Sequence, residues 1–310
     1  MSLPVEVAVV VVTDNSAEEI DNCLDSLENV AEIVVVDNGS ADATTRLVAE
    51  RGERVRLLAN RENRGFAAAA NQGVQATVSP LVLFLNPDAA LVTGLEALVD
   101  EFQAPQVGAA GGRLLDDGGT QIGFNIRSFP TPAGLAAEAL LVNRLWPRNP
   151  VNRRYRGLDL DYERVQDVDQ PAGAFLMARR AALEAAGGFD EWFFPVWFED
   201  VDLCLRIRQA GYRIRYVPVC AARHRGGHAV ARISVEQKQV YWYRSLLGYS
   251  DKHFSAPARW LVRAAVLLGS ILRLLASVGR REDCRSYGKV MGLALGRRTV
   301  ETQVQPHVLT

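Results

Sequence analysis

The sequence predicts an α/β fold: a mostly parallel, Rossmann-like sheet flanked by helices, with a C-terminal helical extension. Three observations carry this. Short all-apolar runs alternate with helical periodicities through the first 90 residues, at the spacing of βαβ units. Polar clusters follow three of those runs, where an open parallel sheet binds ligands. Beyond Ser234 the pattern is helical to about Gly296.

Taken in order, residues 7–12 are β-branched and read as a strand covered on both faces. Ser16-x-x-Glu19 reads as a capping box, and Ile20, Cys23, Leu24 and Leu27 follow at helical spacing. Residues 33–36 form a second buried strand ending at Asp37-Asn38-Gly39-Ser40. A helix over about 42–50, a strand over 55–58 and a helix over about 66–76 come next. Residues 81–85 are the fourth strand, ending at Asn86-Pro87-Asp88. From Gly111 the pattern loosens. It returns as a strand over 174–178, a helix over 180–186, an aromatic loop over 192–198 and a helix starting near Glu199 that Gly211 stops. A strand over 214–217 precedes Arg223-His224-Arg225-Gly226-Gly227-His228.

The 310 residues are 48% hydrophobic, enough for one large domain with a sizeable core. Lysine plus arginine number 35 against 36 acids, so nothing global points to nucleic acid. The four cysteines lie far apart and read as buried free thiols of a reducing compartment. No signal peptide is visible, and the longest charge-free apolar run, 264–272, is too short for a bilayer span, which takes about 20 residues.

The first strand-to-helix turn, Thr13-Asp14-Asn15-Ser16-Ala17, holds no glycine, which argues against the close pyrophosphate approach of NAD or FAD sites. No Gly-Lys-[Ser/Thr] occurs, so a P-loop is excluded as well. Asp37 has two readings, a ligand-binding group or an Asx-turn residue. Asp88 ends an all-apolar strand, where a carboxylate is costly unless used. With the Asn86 amide oxygen it suits a hard divalent ion completed by phosphate and water. In a helix from Glu199, Asp200 heads the face shared by Leu203, Cys204 and Ile207, as a general base would. Asp202 pairs with Arg206 at i, i+4, and Glu199 and Asp202 also suit the first helical turn as partners of the macrodipole. His224 is either a surface histidine or a metal ligand. The arginine-rich stretch 144–156, with Trp146 and Tyr155, is either a solvated loop or a site for an acceptor diphosphate.

Together these residues resemble glycosyltransferase family 2, with its GT-A fold, and particularly its rhamnosyltransferase-like branch. The matching stretches are Val34-Val35-Val36-Asp37-Asn38-Gly39-Ser40, Asn63-Arg64-Gly65-Phe66, Phe84-Leu85-Asn86-Pro87-Asp88, Gly187-Gly188-Phe189-Asp190-Glu191 and Phe198-Glu199-Asp200-Val201-Asp202-Leu203. Two positions depart from many relatives: Asp14 stands where an aromatic is frequent, and Asn86 where a first aspartate is. The resemblance implies a dTDP- or UDP-sugar donor bound by Thr13, Asn15, Asp37, Asn38, Arg64, Gly65 and Asn86, with Asp37 reading the pyrimidine. It implies Mg²⁺ or Mn²⁺ on Asp88 and His224, catalysis by Asp200 with Glu199, and an acceptor surface of Trp192, Trp197 and Phe198. The acceptor class is a saccharide hydroxyl, a polyprenyl-diphosphate-linked one included, in cell-surface polysaccharide synthesis. The expected division is a catalytic domain over 1–232, with a donor half (1–112) and an acceptor half (113–232), then a helical region over 233–310. The rival readings are a nucleotidyltransferase and an inactive carbohydrate-binding or scaffold subunit.

A cytoplasmic protein peripheral to the inner face of the cell membrane is expected, with a homodimer as the other use of the C-terminal helices. Over 259–281 a helix gathers Arg259, Arg263, Ser270, Arg273, Ser277, Arg280 and Arg281 on one arc and leucines on the rest. That pattern fits a helix lying in a membrane interface, its basic arc at the headgroups, or one buried against the protein.

Overall fold

The computed structural model describes residues 5–226, 233–277 and 285–297. Its first half contains β1 (Val5–Thr13), α1 (Ile20–Asp25), β2 (Val30–Asp37), α2 (Thr44–Ala49), β3 (Arg56–Ala59), α3 (Phe66–Gln75) and β4 (Leu81–Leu85). These strands pair in parallel in the order β3-β2-β1-β4, so the chain switches direction across the sheet between β1 and β4. The all-apolar runs are explained by two-sided burial. Val7, Val9 and Val11 pack on Ile20, Cys23, Leu24 and Leu27, whereas Val10 faces Ala67 and Ala70 of α3. The expected capping box at Ser16 does not form. The Ser16 carbonyl, rather than its hydroxyl, accepts the amides of Glu19 and Ile20.

The second half contains β5 (Ala89–Leu91), α4 (Glu96–Asp100), β6 (Val107–Asp116), β7 (Gly119–Thr120), β8 (Ile126–Arg127) and α5 (Pro132–Ala139). There follow α6 (Val142–Leu145), α7 (Pro150–Tyr155), β9 (Gln166–Asp167), β10 (Gln170–Pro171), β11 (Phe175–Arg179), α8 (Arg180–Ala186), α9 (Glu199–Gln209) and β12 (Arg213–His224). The main sheet continues from β4 as β11-β6-β12-β5. Strand β11 is antiparallel to both neighbours, β12 is parallel to β6, and β5 is antiparallel to β12. Parallel order thus holds for the first four strands and gives way to a mixed sheet. The division expected at residue 112 falls inside β6, so both halves share one sheet. Strand β12 outruns its expected end at Val217. Pro218 has no amide to donate and sits where the pairing register slips between Val217 and Ala221, the position a sheet allows it.

Three helices complete the described chain: α10 (Val235–His253), α11 (Ala256–Ser277) and α12 (Arg285–Ala294). They share a core with the sheet-bearing part of the chain, in which Leu135 and Ala139 of α5 and Phe193, Phe198 and Val201 meet Leu246, Tyr249, Val262 and Val290. Helix α11 corrects one expectation. Its arginines do not line an outer arc: Ser270 is buried, Arg263 donates to the carbonyls of Leu293 and Ala294, and Arg273 donates to that of Ala139. The Ser277 side chain, Arg280 and Arg281 lie outside the described residues. No described helix is long and apolar enough to cross a membrane. Cys23, Cys204 and Cys220 are buried free thiols, as expected.

Candidate active site

The carboxyl ends of β1, β2 and β4 open on one side of the sheet, and the loops there are tied to one another by short polar side chains. Asp37 is buried, and its carboxylate accepts from the Thr13 hydroxyl (2.8 Å), the Ser40 hydroxyl, and the Gly39 and Ser40 amides (3.1 and 2.9 Å). Those four donors match the lone-pair capacity of a carboxylate. Of its two sequence readings, this geometry is the turn-forming one. Asn38, also buried, accepts from Asn60 and from the Arg64 amide, and donates to the Gly65 carbonyl at 3.1 Å. Asn15 accepts from the Ala41 amide at 2.9 Å and donates to Asp14, which also accepts from Asn63 at 2.8 Å. The polar residues expected to hold a donor are therefore assembled around one cleft, and most are occupied in shaping it. Arg64 is exposed there and makes no hydrogen bond through its side chain to the described residues. Gly65 has φ +81°, and a Cβ on it would lie 2.8 Å from the Phe194 ring, so glycine is what lets this loop pass under the aromatic loop 192–198.

Asp88 and His224 are 136 positions apart in the chain, yet His224 Nε2 lies 3.5 Å from Asp88 Oδ1. The imidazole is buried, stacked on Phe124 with centroids 5.4 Å apart, and its Nδ1 meets Gln121 Oε1 at 3.1 Å. Gln121 also donates to the His224 carbonyl at 2.6 Å, so the amide holds both ends of the residue. With Nδ1 as the donor, Nε2 keeps its lone pair on the Asp88 side, the arrangement a metal-binding histidine needs. Asn86 follows β4, two residues before Asp88 in the chain. Among the described residues no group of three or more His, Cys, Asp or Glu side chains converges on one point. A divalent ion here would rest on Asp88, His224 and the Asn86 amide, with phosphate and water supplying the rest.

Asp200, in the first turn of α9, is partly exposed. Its Oδ2 accepts from Gln170 Nε2 at 2.8 Å and from the Gly173 amide at 3.0 Å. Its Oδ1 accepts only within its own turn, from the Val201 amide. A Cβ at Gly173 would crowd the Asp200 Cβ at 3.1 Å. One residue further on, the Ala174 carbonyl accepts the Asn86 amide at 3.1 Å. The short stretch 172–174 thus anchors the carboxylate of α9 and the end of β4 together.

Glu199 and Phe198 differ from expectation. Glu199, expected to act with Asp200 or to partner the macrodipole, is buried, and burial, with Asp200 beside it, raises its carboxyl well above the ordinary range. Burial is what sets Glu199 apart from Asp200, which is partly exposed. Phe198 is buried between Trp242 and Tyr249 and offers no face to a sugar. Trp192 remains at the surface, half-exposed, with the Arg244 guanidinium 5.1 Å from its ring. Trp197 is partly exposed. Both Trp197 and Phe198 have left-handed backbones (φ 78° and 71°), an unfavourable conformation for aromatics that sets the entry into α9. Asp202 is fully buried rather than a surface charge. It pairs with Arg206 as expected, and also with Lys252 (2.8 Å) and His253 (2.7 Å) of α10. Sequence reasoning missed Gln121, Phe124, Gln170 and Gly173, since an isolated amide or glycine in an irregular stretch carries no periodic signal.

A surface cleft of about 320 Å³ lined by Ser26, Glu28, Thr93 and Glu96 lies at the amino end of β2, away from this chemistry.

Such a sheet, with its polar carboxyl edge, paired aspartate and histidine, and anchored aspartate across the cleft, is of the GT-A type used by sugar-transferring enzymes. The chain belongs to glycosyl transferase family 2, whose family model matches residues 8–185. It is 30% identical over 296 residues to N-acetylglucosaminyl-diphospho-decaprenol L-rhamnosyltransferase of Mycobacterium tuberculosis, covering 88% of this chain and 94% of that one. It is 32% identical over 111 residues to the rhamnosyltransferase WbbL of Escherichia coli, covering 36% and 37% of the two chains. Among solved structures it resembles a mannosyltransferase of Pyrobaculum calidifontis in complex with GDP-Man and Mn²⁺, with TM-score 0.52 and 19% identity over 95% of this chain and 81% of that one. The chain is thus a glycosyltransferase of the rhamnosyltransferase-like branch.

Proposed function

We propose that this enzyme moves a deoxyhexose such as rhamnose from a dTDP- or UDP-sugar to a hydroxyl of a lipid-linked saccharide, with inversion at the anomeric carbon. The observation that carries the reading is Asp200: held through Oδ2, with Oδ1 left to receive a proton, and tied through residues 173 and 174 to the strand that ends at Asn86.

Donor binding falls to the loops at β1, β2 and β4. Asp37 and Asn38 hold those loops in shape, and base reading, which the family resemblance gives to Asp37, requires it to exchange an internal donor for the pyrimidine. Arg64 at the cleft mouth suits the donor diphosphate. Asp88, His224 and Asn86 would hold a divalent ion, and a mixed nitrogen and oxygen set suits Mn²⁺ better than Mg²⁺, which favours oxygen alone. When bound, the ion stabilises charge on the leaving nucleoside diphosphate. Asp200 takes the acceptor's proton as its oxygen attacks the anomeric carbon opposite the diphosphate. Inversion follows from one displacement with one base. Glu199, buried in the protein, is unsuited to serve as a second carboxylate nucleophile. Trp192 and Trp197 offer aromatic surface to the acceptor. The acceptor class is supported by the tuberculosis relative, whose name specifies a diphosphate-linked lipid saccharide.

The test combines purified protein, Mn²⁺, a panel of dTDP- and UDP-sugars and a synthetic N-acetylglucosaminyl-diphospho-lipid. Mass spectrometry and NMR of the product read the sugar and the anomeric configuration. A product with inverted configuration from a deoxyhexose donor is expected. A retained configuration, or transfer only from other donors, overturns the corresponding part.

A further inference from the structure

Helix α11 is built the wrong way round for a helix facing water. Its polar side chains point inward: Arg263 to the carbonyls of α12 and to Asp251 (2.6 Å), Arg273 to the carbonyl of Ala139, and Ser270 to its own helix. Outward stand Trp260 (71% exposed), Leu261 (52%), Leu268 (50%), Leu272 (43%) and Leu275 (64%). With Ala264 and Ile271 they step along one face at intervals of three and four residues, a stripe about 22 Å long at 1.5 Å per residue. Monomeric soluble proteins scatter exposed leucines and rarely align them.

A second apolar element lies close by. The Ala139 carbonyl at the end of α5 presses on α11 so tightly that a Cβ on Gly269 would come within 2.0 Å of it. Helix α6 begins three residues later, within about 11 Å at 3.8 Å per Cα step. It exposes Leu145 (83%) and Trp146 (60%). Arg144, Arg148 and Arg154 are exposed around them and make no ion pair with the described residues. Neither 142–155 nor 256–277 contains an acidic residue.

We propose that the outer face of α11, together with α6, is a docking surface for an anionic lipid bilayer. Apolar side chains aligned in one stripe, tryptophans within it and unpaired arginines beside it are the composition of interfacial elements. Charge decides between a bilayer and a second copy of the chain. A two-fold dimer through this face would set the same unpaired arginines near their own copies, whereas acidic headgroups neutralise them. The headgroup contacts come from 144–154, not from Arg263 and Arg273 of α11, which are spent inside the protein. This inference rests on the surface alone and does not depend on which sugar or acceptor the cleft uses.

Flotation of the full-length protein with vesicles free of polyprenyl diphosphates tests it. Wild type is expected to float with vesicles containing 30% phosphatidylglycerol and much less with pure phosphatidylcholine. The double variant L268E/L275E, at exposed positions, is expected to lose at least tenfold in vesicle partitioning while keeping its circular dichroism and melting temperature. R144E/R148E is expected to weaken anionic binding and abolish its salt dependence. The proposal is overturned if wild type fails to float on either vesicle. It is overturned equally if L268E/L275E floats like wild type, or if that variant's only effect is to turn a dimer into a monomer in sedimentation.

Discussion

The donor side and the chemical side of the cleft are held in different ways. At the ends of β1 and β2, Asp14, Asn15, Asp37, Asn38 and Ser40 bond mostly to one another and to loop amides. Across the cleft, each group of interest leans on one or two partners rather than on a network: His224 on Gln121, and Asp200 on Gln170 and Gly173. A network of neighbours is set once its loops close. Supports so few let a change at the partner move the group it holds.

The sharpest way to break that contrast is to remove the proposed base. Asp200→Asn is expected to lower turnover by about 10²–10⁴-fold, the usual worth of a positioned general base. Binding of nucleoside diphosphate plus Mn²⁺, read by calorimetry, should stay within about twofold. Near-normal turnover would take Asp200 out of the role.

Next in size is Phe198→Ala. The ring is a wedge between the catalytic helix and α10, so the expected effect is a loss of about 3–5 kcal/mol of stability from the cavity left behind. Chemical denaturation measures it. A change confined to the acceptor KM would return Phe198 to the acceptor surface.

Gln121→Leu removes the partner of His224 without touching a metal ligand. Losses from such supports run to about 10–100-fold in metal affinity. Mn²⁺ titration in the presence of nucleoside diphosphate reads this, and an unchanged affinity would mean that His224 orients itself or binds no metal.

The smallest effect is on the acid limb of stability. Burial raises the Asp202 carboxyl, but hydrogen bonds from His253 and Lys252, with Arg206, outweigh it and leave the folded value below the ordinary 3.8. The group therefore stabilises the fold fully above 3.8, and this contribution disappears as the pH falls through the lower folded value. Melting curves between pH 6 and 3 should show a shallower acid decline in Asp202→Asn than in wild type. Parallel declines would assign the acid limb to other carboxylates.

These contrasts also explain what could be read in advance. Strand β4 and helices α3 and α8 lie within a residue of expectation, because two-sided burial writes itself as unbroken apolar runs or helical spacing. Strand β6 was not legible. Gly108, Gly111 and Gly112 weaken its pattern, and at 111 and 112 glycine is there because a Cβ would strike Pro171 and Phe175. Asp88 and Asp200 stood out as carboxylates at the ends of apolar elements, whereas His224 reads from the sequence as either a surface histidine or a metal ligand. Their supports did not, since an amide is a support only by virtue of its neighbours in space. Phe198 misled for the opposite reason: an aromatic beside a catalytic helix looks like substrate surface until the C-terminal helices close over it.

The contact of residues 173 and 174 with both Asp200 and Asn86 has a consequence for anyone grafting loops between relatives. These two adjacent residues act as a caliper, one jaw on the proposed proton acceptor and the other on Asn86, which follows β4 two residues before Asp88. Lengthening the stretch by a single residue would open the jaws by up to about 3.8 Å, more than in-line attack tolerates. Chimeras that exchange the acceptor-facing loops should therefore be cut outside residues 170–174, and a library that varies the length there would select for the original spacing.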